Sequence, residues 1–480
     1  MENAEQNEFR ANRLSNLARL QELGYAPFGS AFERTGRLAE IRAGFEEEAP
    51  VRAAGRMITI RNMGKTIFAD LHDGSDRFQL FLNKKQLGDA PFEALRWLDV
   101  GDHIGVEGKL FVTRTGEQTI RVEQWTLLGK ALLPLPEKWH GLRDVEARYR
   151  QRYLDLVANP EVRATFDKRI AMLRQIRAFL AGRGFSEVET PMMQPQPGGA
   201  AAKPFVTHFD ALSTDMYLRI APELYLKRLL VGGFDKVFEL NRNFRNEGLS
   251  RTHNPEFTML EIYEAYTDVR GMMQLVEDLI LHVADTVFGT RKVGTESEPI
   301  DLTPPWREVA YHELIKEKMG GEWFTLPREQ ARERAAALDL EIDPAWSHLE
   351  ITHEIYEKTI EQTLQQPTFV TRFPAELVPL AKTCPDDSAV VDVFELEIGG
   401  KEIAPAYSEL NDPLEQRKRF EQQVGPDAQR VDEAFLTALE HGMPPAGGMG
   451  LGIDRLMMVL SGIDAIRDVI LFPQLKPKTG

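Results

Sequence analysis

An arginine-bearing hairpin is the feature that most constrains the fold of this 480-residue chain. RNFRNEG at 242–248 is followed by THNPEFTMLEIYEAY at 252–266, and strand-like apolar runs bound the two stretches. Much later in the chain, GMGLGIDRL at 448–456 is a glycine-rich entry into a helix that carries Arg455. Guanidinium groups stay charged at all working pH values and bind phosphate oxygens bidentately. These two elements therefore predict a triphosphate site and indicate nucleotide-dependent group transfer.

Composition excludes several classes of protein. The chain has no run of about eighteen uncharged apolar residues, so a membrane span is not expected. Residues 1–10 are acidic and polar, unlike a secretory signal. The single cysteine, Cys384, excludes an internal disulfide, and the ten histidines show no H-x-x-x-H zinc pattern. The net charge of −16 argues against a general nucleic-acid binder, although residues 51–130 carry 12 Lys and Arg against 10 Asp and Glu. These features predict a cytoplasmic protein with local, selective nucleic-acid contact.

The first part of the chain has the strand order of a nucleic-acid-binding barrel. A helix is predicted over Phe9–Leu23 because four leucines share one apolar face. Those leucines are Leu14, Leu17, Leu20 and Leu23. From Val51, three strands, a helix near Ala90–Trp97 and two further strands follow, which is the order of the five-stranded OB-fold. The strand segments are VRAAGRMITIR, TIFADLHD, RFQLFL, HIGVEGKLFVT and QTIRVEQWTLL.

The rest of the chain mixes helices and strands. An amphipathic helix after Glu161 leads into the extended stretch FSEVETPMMQP, and apolar strands and a closing helix follow later. This irregular alternation predicts an α+β fold with an antiparallel sheet. A connector with Pro134 and Pro136 separates the two parts. We therefore expect an N-terminal helix and barrel over residues 1–140 and a second domain over residues 141–480.

These motifs together resemble the class II aminoacyl-tRNA synthetases, and most specifically the lysyl-tRNA synthetases. GFSEVETPMMQP at 184–195 is similar to the first class motif, whose proline, here Pro191, lies at a dimer interface in the family. Residues 242–261 resemble the second motif and residues 448–456 the third, while RIAPELYLKRLLVGG and YSELNDP are typical of the lysine enzymes. The resemblance extends from about Phe9 to Pro473. It implies a homodimer with a class II antiparallel-sheet catalytic domain and an N-terminal OB-fold that binds the anticodon.

The resemblance also implies a nucleotide site. The residues expected around ATP are Arg245, Glu247, His253, Asn254, Phe257 and Arg455. By this resemblance, Arg245 and Arg455 are expected to have catalytic roles, the first at the α-phosphate and the second at the terminal phosphate, and Phe257 is expected to stack on adenine. Glu395 and Glu402 correspond to magnesium ligands, which suits an ion that takes one or two carboxylates plus phosphates. The substrate carboxylate attacks the α-phosphorus and a tRNA hydroxyl then attacks the adenylate, so no protein nucleophile is required.

An amino-acid pocket is implied in the same way. Its expected residues are Glu223, Arg245, Glu261, Tyr263, Tyr407 and Glu409. A pocket with several carboxylates suits a substrate with two ammonium groups, whereas an aspartyl enzyme presents cationic residues to a side-chain carboxylate. We therefore expect L-lysine as substrate, tRNA(Lys) as acceptor, ATP as co-substrate and Mg²⁺ as cofactor.

Three barrel residues correspond to the family's anticodon contacts. Phe68 and Gln79 match the residues that stack on and read the central base, and Arg61 is a third contact. An aromatic platform beside polar groups is how single-stranded RNA is generally read. Phe81, by contrast, is expected in the barrel core, because alternate strand residues fill such interiors.

Simpler roles are open for several of these residues. Arg242 is as well explained by a structural ion pair as by a ligand contact, Glu395 and Glu402 could lie on a solvated strand face, and Glu409 could cap a helix. Pro405 stands where the family usually has an asparagine and supplies no side-chain amide. The stretch GGAAAKPF at 198–205 also lacks an asparagine that some members have.

Two alternative functions follow from the same residues. A ligase that attaches a lysine-like group to a translation factor would share the catalytic domain but generally lacks the barrel. A non-catalytic RNA-binding protein that kept the fold would not require Arg245, Glu395, Glu402 and Arg455.

Overall fold

The computed structural model describes residues 2–136, 142–200, 202–295, 297–422 and 431–477, and the chain forms two compact units, Met1–Pro160 and Glu161–Gly480. Within these residues, no helix combines the length and apolar character needed to cross a bilayer. The first unit has these elements: α1 Glu2–Glu22, α2 Leu38–Ala43, β1 Pro50–Asn62, β2 Thr66–His72, β3 Arg77–Asn83, α3 Lys84–Leu87, α4 Asp89–Ala94, β4 His103–Val112, β5 Gln118–Gly129, α5 Val145–Arg150 and α6 Arg152–Ala158.

The five strands of the first unit close into a barrel in the order β1-β2-β3-β5-β4. This confirms the predicted OB-fold. On β3, Phe78, Leu80 and Leu82 are fully buried inside the barrel because alternate residues of a strand point to one side. Phe81 lies between them and is half-buried on the outer side, where its ring meets Phe68 edge-on at 5.4 Å. The expectation that Phe81 belongs to the core was wrong.

The N-terminal helix α1 is held differently from the predicted leucine face. Of the four leucines only Leu20 is fully buried, while Leu14 and Leu23 are exposed. The buried Arg13 instead donates hydrogen bonds to the carbonyl oxygens of Val100, Ala131 and Leu133 at 2.9–3.0 Å. Hydrogen bonds from a charged donor are among the stronger ones in proteins, so this arginine ties the helix to the barrel end.

The second unit has more elements, in this order: α7 Pro160–Gly182, β6 Ser186–Glu187, β7 Met193–Gln194, β8 Val206–Phe209, β9 Thr214–Leu218, α8 Glu223–Val231, β10 Lys236–Phe244, β11 Glu256–Ala265, α9 Val269–Val283, β12 Lys292–Gly294, β13 Pro299–Asp301, β14 Arg307–Ala310, α10 Tyr311–Met319, α11 Arg328–Ala336, α12 His348–Ile355, β15 Thr368–Thr371, β16 Thr383–Cys384, β17 Asp387–Val391, β18 Val393–Glu397, β19 Glu402–Ser408, α13 Pro413–Gln422, α14 Glu433–Glu440, β20 Ala446–Gly452, α15 Ile453–Ser461 and α16 Ile466–Val469.

A sheet of eight strands organises the described part of this unit, in the order β14-β15-β18-β19-β20-β11-β10-β6. Its inner strands are antiparallel, and the outermost pairs β14–β15 and β10–β6 are parallel. One face is apolar: Leu260 and Ile262 of β11 and Met449 and Leu451 of β20 belong to the main core with α7, α9 and α15. The α+β class with a largely antiparallel sheet is therefore confirmed. The alternate residues of the same strands point to the opposite face.

Candidate active site

Three glycines of β20 form the floor of the site on the polar face of the sheet. Gly448, Gly450 and Gly452 alternate along the strand and pair with Tyr263, Glu261 and Met259 of β11. A Cβ atom on Gly448 would lie 1.8 Å from the Oε1 atom of Glu409 and 2.5 Å from the Tyr263 ring. A glycine is therefore required there for neighbouring side chains to lie against the backbone.

A cluster of buried carboxylates, here named the acidic pocket, lies over this floor. Glu223, Glu261 and Glu409 are each at most 4% exposed. The Tyr263 hydroxyl donates to Oε2 of Glu261 at 3.1 Å, and the Tyr407 hydroxyl donates to Oε1 of Glu223 at 2.9 Å. The structure thus brings together five of the six residues that the sequence assigns to the amino-acid pocket. Glu409 does not cap a helix, since the next helix, α13, begins at Pro413.

Burial makes two of these carboxyl groups, those of Glu261 and Glu409, weaker acids. Burial, followed by the nearby Glu223, raises the pKa of Glu261 to about 8. Burial also raises the pKa of Glu409 to about 8, although the adjacent Lys227 acts in the opposite direction. The pKa values of the Tyr263 and Tyr407 hydroxyls are raised far above their ordinary value, mainly by burial and then by Glu223. Both tyrosines therefore act as neutral hydrogen-bond donors to the pocket.

One residue of this pocket, Lys227, was not predicted from the sequence. Lys227 lies one helical turn after Glu223 on α8 and is fully buried. Its Nζ atom is 2.7 Å from Oε1 of Glu223, forms an ion pair with Glu409 and lies 5.5 Å from the centre of the Tyr407 ring. Burial alone would lower the pKa of Lys227, but Glu223 and Glu409 together raise it. The spacing of Glu223 and Lys227 in the sequence was the available signal, since residues four apart share a helix face.

A second pocket holds the residues expected around ATP. Its lining also includes Glu402, Pro405 and Asp454. The six expected residues that line it are Arg245, Glu247, His253, Asn254, Phe257 and Arg455. The Arg245 guanidinium lies 5.2 Å from the centre of the Phe257 ring, and its buried Nε atom has no hydrogen-bond partner among the described residues. This arginine is therefore held by the aromatic ring and keeps hydrogen-bonding capacity for a ligand.

Arg455 is fixed at the start of α15 by three contacts. Its Nη1 atom donates to the Glu402 carbonyl oxygen at 2.9 Å and lies 3.3 Å from the Glu402 carboxylate. Its Nη2 atom is 3.1 Å from Nε2 of His253. Because arginine only donates hydrogen bonds, Nε2 must accept, which places the imidazole proton on Nδ1, 2.8 Å from Ser250. Burial and the nearby Arg455 lower the pKa of His253, in agreement with a neutral ring.

Asn254 has a structural role in the same pocket. Its amide nitrogen donates to the Glu256 carbonyl oxygen at 2.6 Å, and its Oδ1 atom accepts from the backbone nitrogen of Gln474 at 3.2 Å. Asn254 therefore closes the β10–β11 connection and fastens the C-terminal segment beside the pocket. Arg242 lies 3.7 Å from Glu256 and does not line this pocket, so the structural interpretation of Arg242 agrees with its position.

A group of carboxylates adjoins the nucleotide pocket beside β18 and β19. Burial, and then the negative charges of Glu402 and Glu361, raise the pKa of Glu395 well above its ordinary value. Burial, and then the charge of Glu402, raise the pKa of Glu361 to about 7. Both carboxylate oxygens of the fully buried Glu397 lack hydrogen-bond partners among the described residues. The sequence did not single out Glu361 or Glu397. Glu361 follows a π-helical turn, Tyr356–Ile360, that sequence patterns do not reveal.

These carboxylates fit a cation that is bound together with phosphates. Among the described side chains, no group of three or more His, Cys, Asp or Glu residues forms a metal site by itself. Mg²⁺ is commonly held by one or two carboxylates, with substrate phosphates and water completing the shell. Glu395 and the half-buried Glu402 supply such a pair next to the pocket that contains Arg455.

The barrel places its three candidate RNA-binding residues on the outside. Arg61 is exposed and lies opposite Phe68 on the neighbouring strand, and Phe68 lies opposite Phe81. The Oε1 atom of Gln79 accepts a hydrogen bond from Thr119 at 3.0 Å. Phe81 also contacts Phe111 edge-on at 5.6 Å, so three aromatic rings form a continuous outward strip.

Asn243 is a further buried residue that the sequence did not assign. It is 1% exposed, and both polar atoms of its side chain lack hydrogen-bond partners within the described residues. It pairs with Phe257 and therefore lies on the polar face of the sheet. Close by, Arg219 and Glu239 form a buried ion pair at 2.6 Å, which Thr190 joins through a 2.7 Å hydrogen bond.

Comparisons with known proteins agree with this geometry. The profile of the tRNA synthetases class II (D, K and N) matches residues 144–476, and that of an OB-fold nucleic acid binding domain matches residues 51–128. A lysine--tRNA ligase of Moorella thermoacetica is 51% identical over 482 residues, which cover 98% of this chain and 99% of the relative. A lysine--tRNA ligase of Carboxydothermus hydrogenoformans is 48% identical over 487 residues and 100% of both chains, and one of Bacillus subtilis is 46% identical over 482 residues and 97% of both.

Proposed function

The chain belongs to the class II tRNA synthetases of the D, K and N group, and we propose that it is a lysine–tRNA ligase. It activates L-lysine with ATP to lysyl-adenylate and transfers the lysyl group to the 3′ end of tRNA(Lys). The acidic pocket of Glu223, Glu261 and Glu409 is the observation that carries the choice of lysine. Buried carboxylates are costly unless cations pair with them. Lysine brings two ammonium groups, whereas aspartate would add a further carboxylate to the pocket.

Adenylation depends on charge and position in this proposal. Arg245 holds the lysine carboxylate beside the α-phosphate, and Arg455 holds the terminal phosphate end. The lysine carboxylate attacks the α-phosphorus, the bond from that phosphorus to the bridging oxygen breaks, and pyrophosphate leaves. Fixed guanidinium groups stabilise the charge that develops without reorganising.

Glu395 and Glu402 would hold Mg²⁺. The bound ion would neutralise phosphate charge and orient the triphosphate. The raised pKa of Glu395 means that burial and its carboxylate neighbours disfavour its ionised form until a cation is present.

The barrel is proposed to read the anticodon of tRNA(Lys). Its outward aromatic strip of Phe68, Phe81 and Phe111 gives unstacked bases a stacking surface, and Arg61 and Gln79 supply polar contacts at its edge. We assign residues 1–140 to this anticodon-binding domain and residues 141–480 to the catalytic domain. As for other synthetases, we place the enzyme in the cytoplasm.

A homodimer is proposed through the segment that contains the first class motif. The small sheet β7-β9-β8 and the turn between β8 and β9 expose four large apolar side chains, and Pro191 lies two residues before β7. The four residues are Met193, Val206, Phe209 and Leu212, each at least 44% exposed. A cluster of this kind is typical of an interaction surface. Val206→Asp combined with Leu212→Asp should convert dimers to monomers in sedimentation velocity, and a wild-type monomer would contradict the proposal.

An amino-acid panel tests the function directly. Purified protein is incubated with ATP, Mg²⁺ and labelled pyrophosphate, and each amino acid is added in turn. Lysine should support pyrophosphate exchange, whereas aspartate and asparagine should not. Exchange driven by aspartate or asparagine would overturn the assignment.

Transfer to tRNA separates this function from the ligase that modifies a translation factor. Lysine should be attached to tRNA(Lys) and not to tRNA(Asp). Exchange with lysine but no tRNA charging would favour the alternative ligase.

A further inference from the structure

The acidic pocket contains its own permanent cation. Lys227 is fully buried and its ammonium group lies between two of the three pocket carboxylates, Glu223 and Glu409. The nucleotide site does not explain Lys227, because this residue does not line the nucleotide pocket. A buried lysine is rare unless its charge is paired, so its presence here requires a reason.

The charge count of the pocket gives that reason. Three carboxylates and one ammonium group leave a net charge of −2 when all are ionised. The other charged groups that act on Glu261 are Arg219 and Arg245. Arg219 is already neutralised by Glu239 at 2.6 Å, and Arg245 lies against Phe257 in the nucleotide pocket. A net charge of −2 matches an amino acid with two ammonium groups whose carboxylate is bound elsewhere.

The geometry also fixes the orientation of the carboxylates. Lys227 and the Tyr407 hydroxyl both bind Oε1 of Glu223, at 2.7 and 2.9 Å. Lys227 reaches Glu409 from the same position, and Glu409 in turn lies against the Cα atom of Gly448. A single ammonium group therefore holds together carboxylates from α8 and from the end of β19.

We propose that Lys227 is a positioning residue that limits the net charge of the fully ionised amino-acid pocket to −2, so that the pocket matches a dicationic amino acid. The inference rests on the proposed lysine–tRNA ligase function. Lys227 does not touch the reacting atoms. It acts through Glu223 and Glu409, which it pairs with and orients before the substrate arrives.

Removal of the ammonium group has a defined consequence. Lys227 faces Glu223 of its own helix, Tyr407 of β19 and Glu409, which directly follows β19. Beyond these groups lie Glu261 and Tyr263 of β11. Without the cation, three adjacent carboxyl groups compete for charge, and like charges raise one another's pKa. One of them then keeps its proton at a pH at which the wild-type group is ionised. Lysine must displace that proton in order to bind.

The experiment measures the pH dependence of KM for lysine in pyrophosphate exchange. In the wild type, KM should fall as pH rises and the pocket ionises. In Lys227→Met the midpoint of that fall should move upward by about one pH unit or more, which raises KM at pH 7 about tenfold or more. The value of kcat at saturating lysine should change much less. Lys236→Met, which removes a half-buried lysine that pairs with Glu264 at 2.7 Å, is the matched control and should leave the profile unchanged.

Two further variants guard against a folding defect. Lys227→Arg keeps the charge and should keep the midpoint. Lys227→Met combined with Glu223→Gln removes one charge of each sign, so its midpoint should return towards the wild-type value even though a lysine contact is lost. A merely structural role of Lys227 would not restore the midpoint in this double variant.

The outcomes distinguish this inference from the function on which it rests. If the wild type does not activate lysine, the proposed function fails. If the wild type activates lysine but Lys227→Met keeps the wild-type midpoint, only the role of Lys227 is overturned. A lower KM in Lys227→Met would also overturn it, because the lysine side chain would then be a competitor of the substrate. A double variant that shifts as far as the single variant would exclude a charge effect.

Discussion

Gly448 gives the sharpest prediction for the acidic pocket. A Cβ atom at this position would lie 1.8 Å from Oε1 of Glu409 and 2.5 Å from the nearest atom of the Tyr263 ring. Ordinary contacts between heavy atoms are about 3.5–4 Å, so in Gly448→Ala the Glu409 carboxylate must move by roughly 1.5 Å or more. Tyr263 is packed in the core around α8 and cannot make room easily. Glu409 would therefore leave the position at which Lys227 pairs with it.

The expected loss follows from that displacement. A misplacement of about 1 Å at an enzyme site can cost about 100-fold in rate, or ~2.7 kcal/mol. We expect kcat/KM for lysine in pyrophosphate exchange to fall about 100-fold in Gly448→Ala. The ATP site should be affected far less. Gly452, at the end of β20 from which α15 and Arg455 follow, is four positions along the strand from Gly448, or about 13 Å. The KM for ATP, measured at saturating lysine, should therefore stay within about twofold.

A second glycine variant shows whether the effect is local. Gly182 ends helix α7, has an ordinary backbone conformation and would place a new Cβ atom in open space. Gly182→Ala should leave both kinetic constants unchanged. If Gly448→Ala keeps wild-type kcat/KM for lysine while its fold is intact by thermal unfolding, the carboxylate of Glu409 does not need its present position. The assignment of this pocket to the amino acid would then be refuted.

Three further predictions test other parts of the enzyme. Arg245→Ala should abolish pyrophosphate exchange because it removes the proposed phosphate clamp, a half-buried arginine of the nucleotide pocket. Arg242→Ala should stay close to wild type because that side chain pairs with Glu256 and does not line the pocket, and equal losses would contradict the assignment. Glu261 has its pKa raised from 4.5 to about 8, so the folded state binds its proton more tightly and stability is lost as pH rises through that interval. Glu261→Gln should therefore raise the melting temperature of the ligand-free enzyme at pH 8.5 by a few degrees and change it little near pH 4.5. The same variant should lose lysine activation. A lower melting temperature at pH 8.5 would argue against a destabilising charge on Glu261. Phe68→Ala and Phe81→Ala should each lower kcat/KM for tRNA about tenfold or more while pyrophosphate exchange without tRNA is unchanged, and unaltered tRNA charging would exclude a stacking role.

Local periodicity explains which parts of the fold were predictable. The strands of the barrel were found because Phe78, Leu80 and Leu82 alternate with polar or outward residues, and this alternation survives in the structure. The same rule places Phe81 outside, and the expectation of a core position neglected it. Arg13 shows a different limit, because its burial depends on three carbonyl oxygens that only the folded barrel end brings together.

The site was predictable only where family motifs cover it. Glu223 and Lys227 are four residues apart on one helix, so their contact could have been proposed from the sequence. The meeting of Lys227 with Glu409 depends on how α8 packs against the end of β19, which no local pattern contains. Glu361 likewise reaches Glu402 from a separate helical segment, where its Oε1 atom accepts from the Glu402 backbone at 3.4 Å. Tertiary packing, not propensity, decides such contacts.

The two pockets are coupled through the register of β20. Gly448 lies beneath the acidic pocket, and the strand ends at Gly452, from which α15 begins and carries Arg455. A shift of one residue would turn every β20 side chain to the other face, so the pairing with β11 fixes both pockets at once. Pairing of β20 with β19 stops at Ala406, and the next residue, Pro405, has no backbone N–H to continue it. The pairing between β19 and β20 therefore ends beside Gly450, where a Cβ atom would lie 3.9 Å from the Pro405 ring. On the proposed assignment of the two pockets, the lysine carboxylate and the α-phosphate would meet there, where Pro405 supplies no side-chain amide and Arg245 would bind both groups.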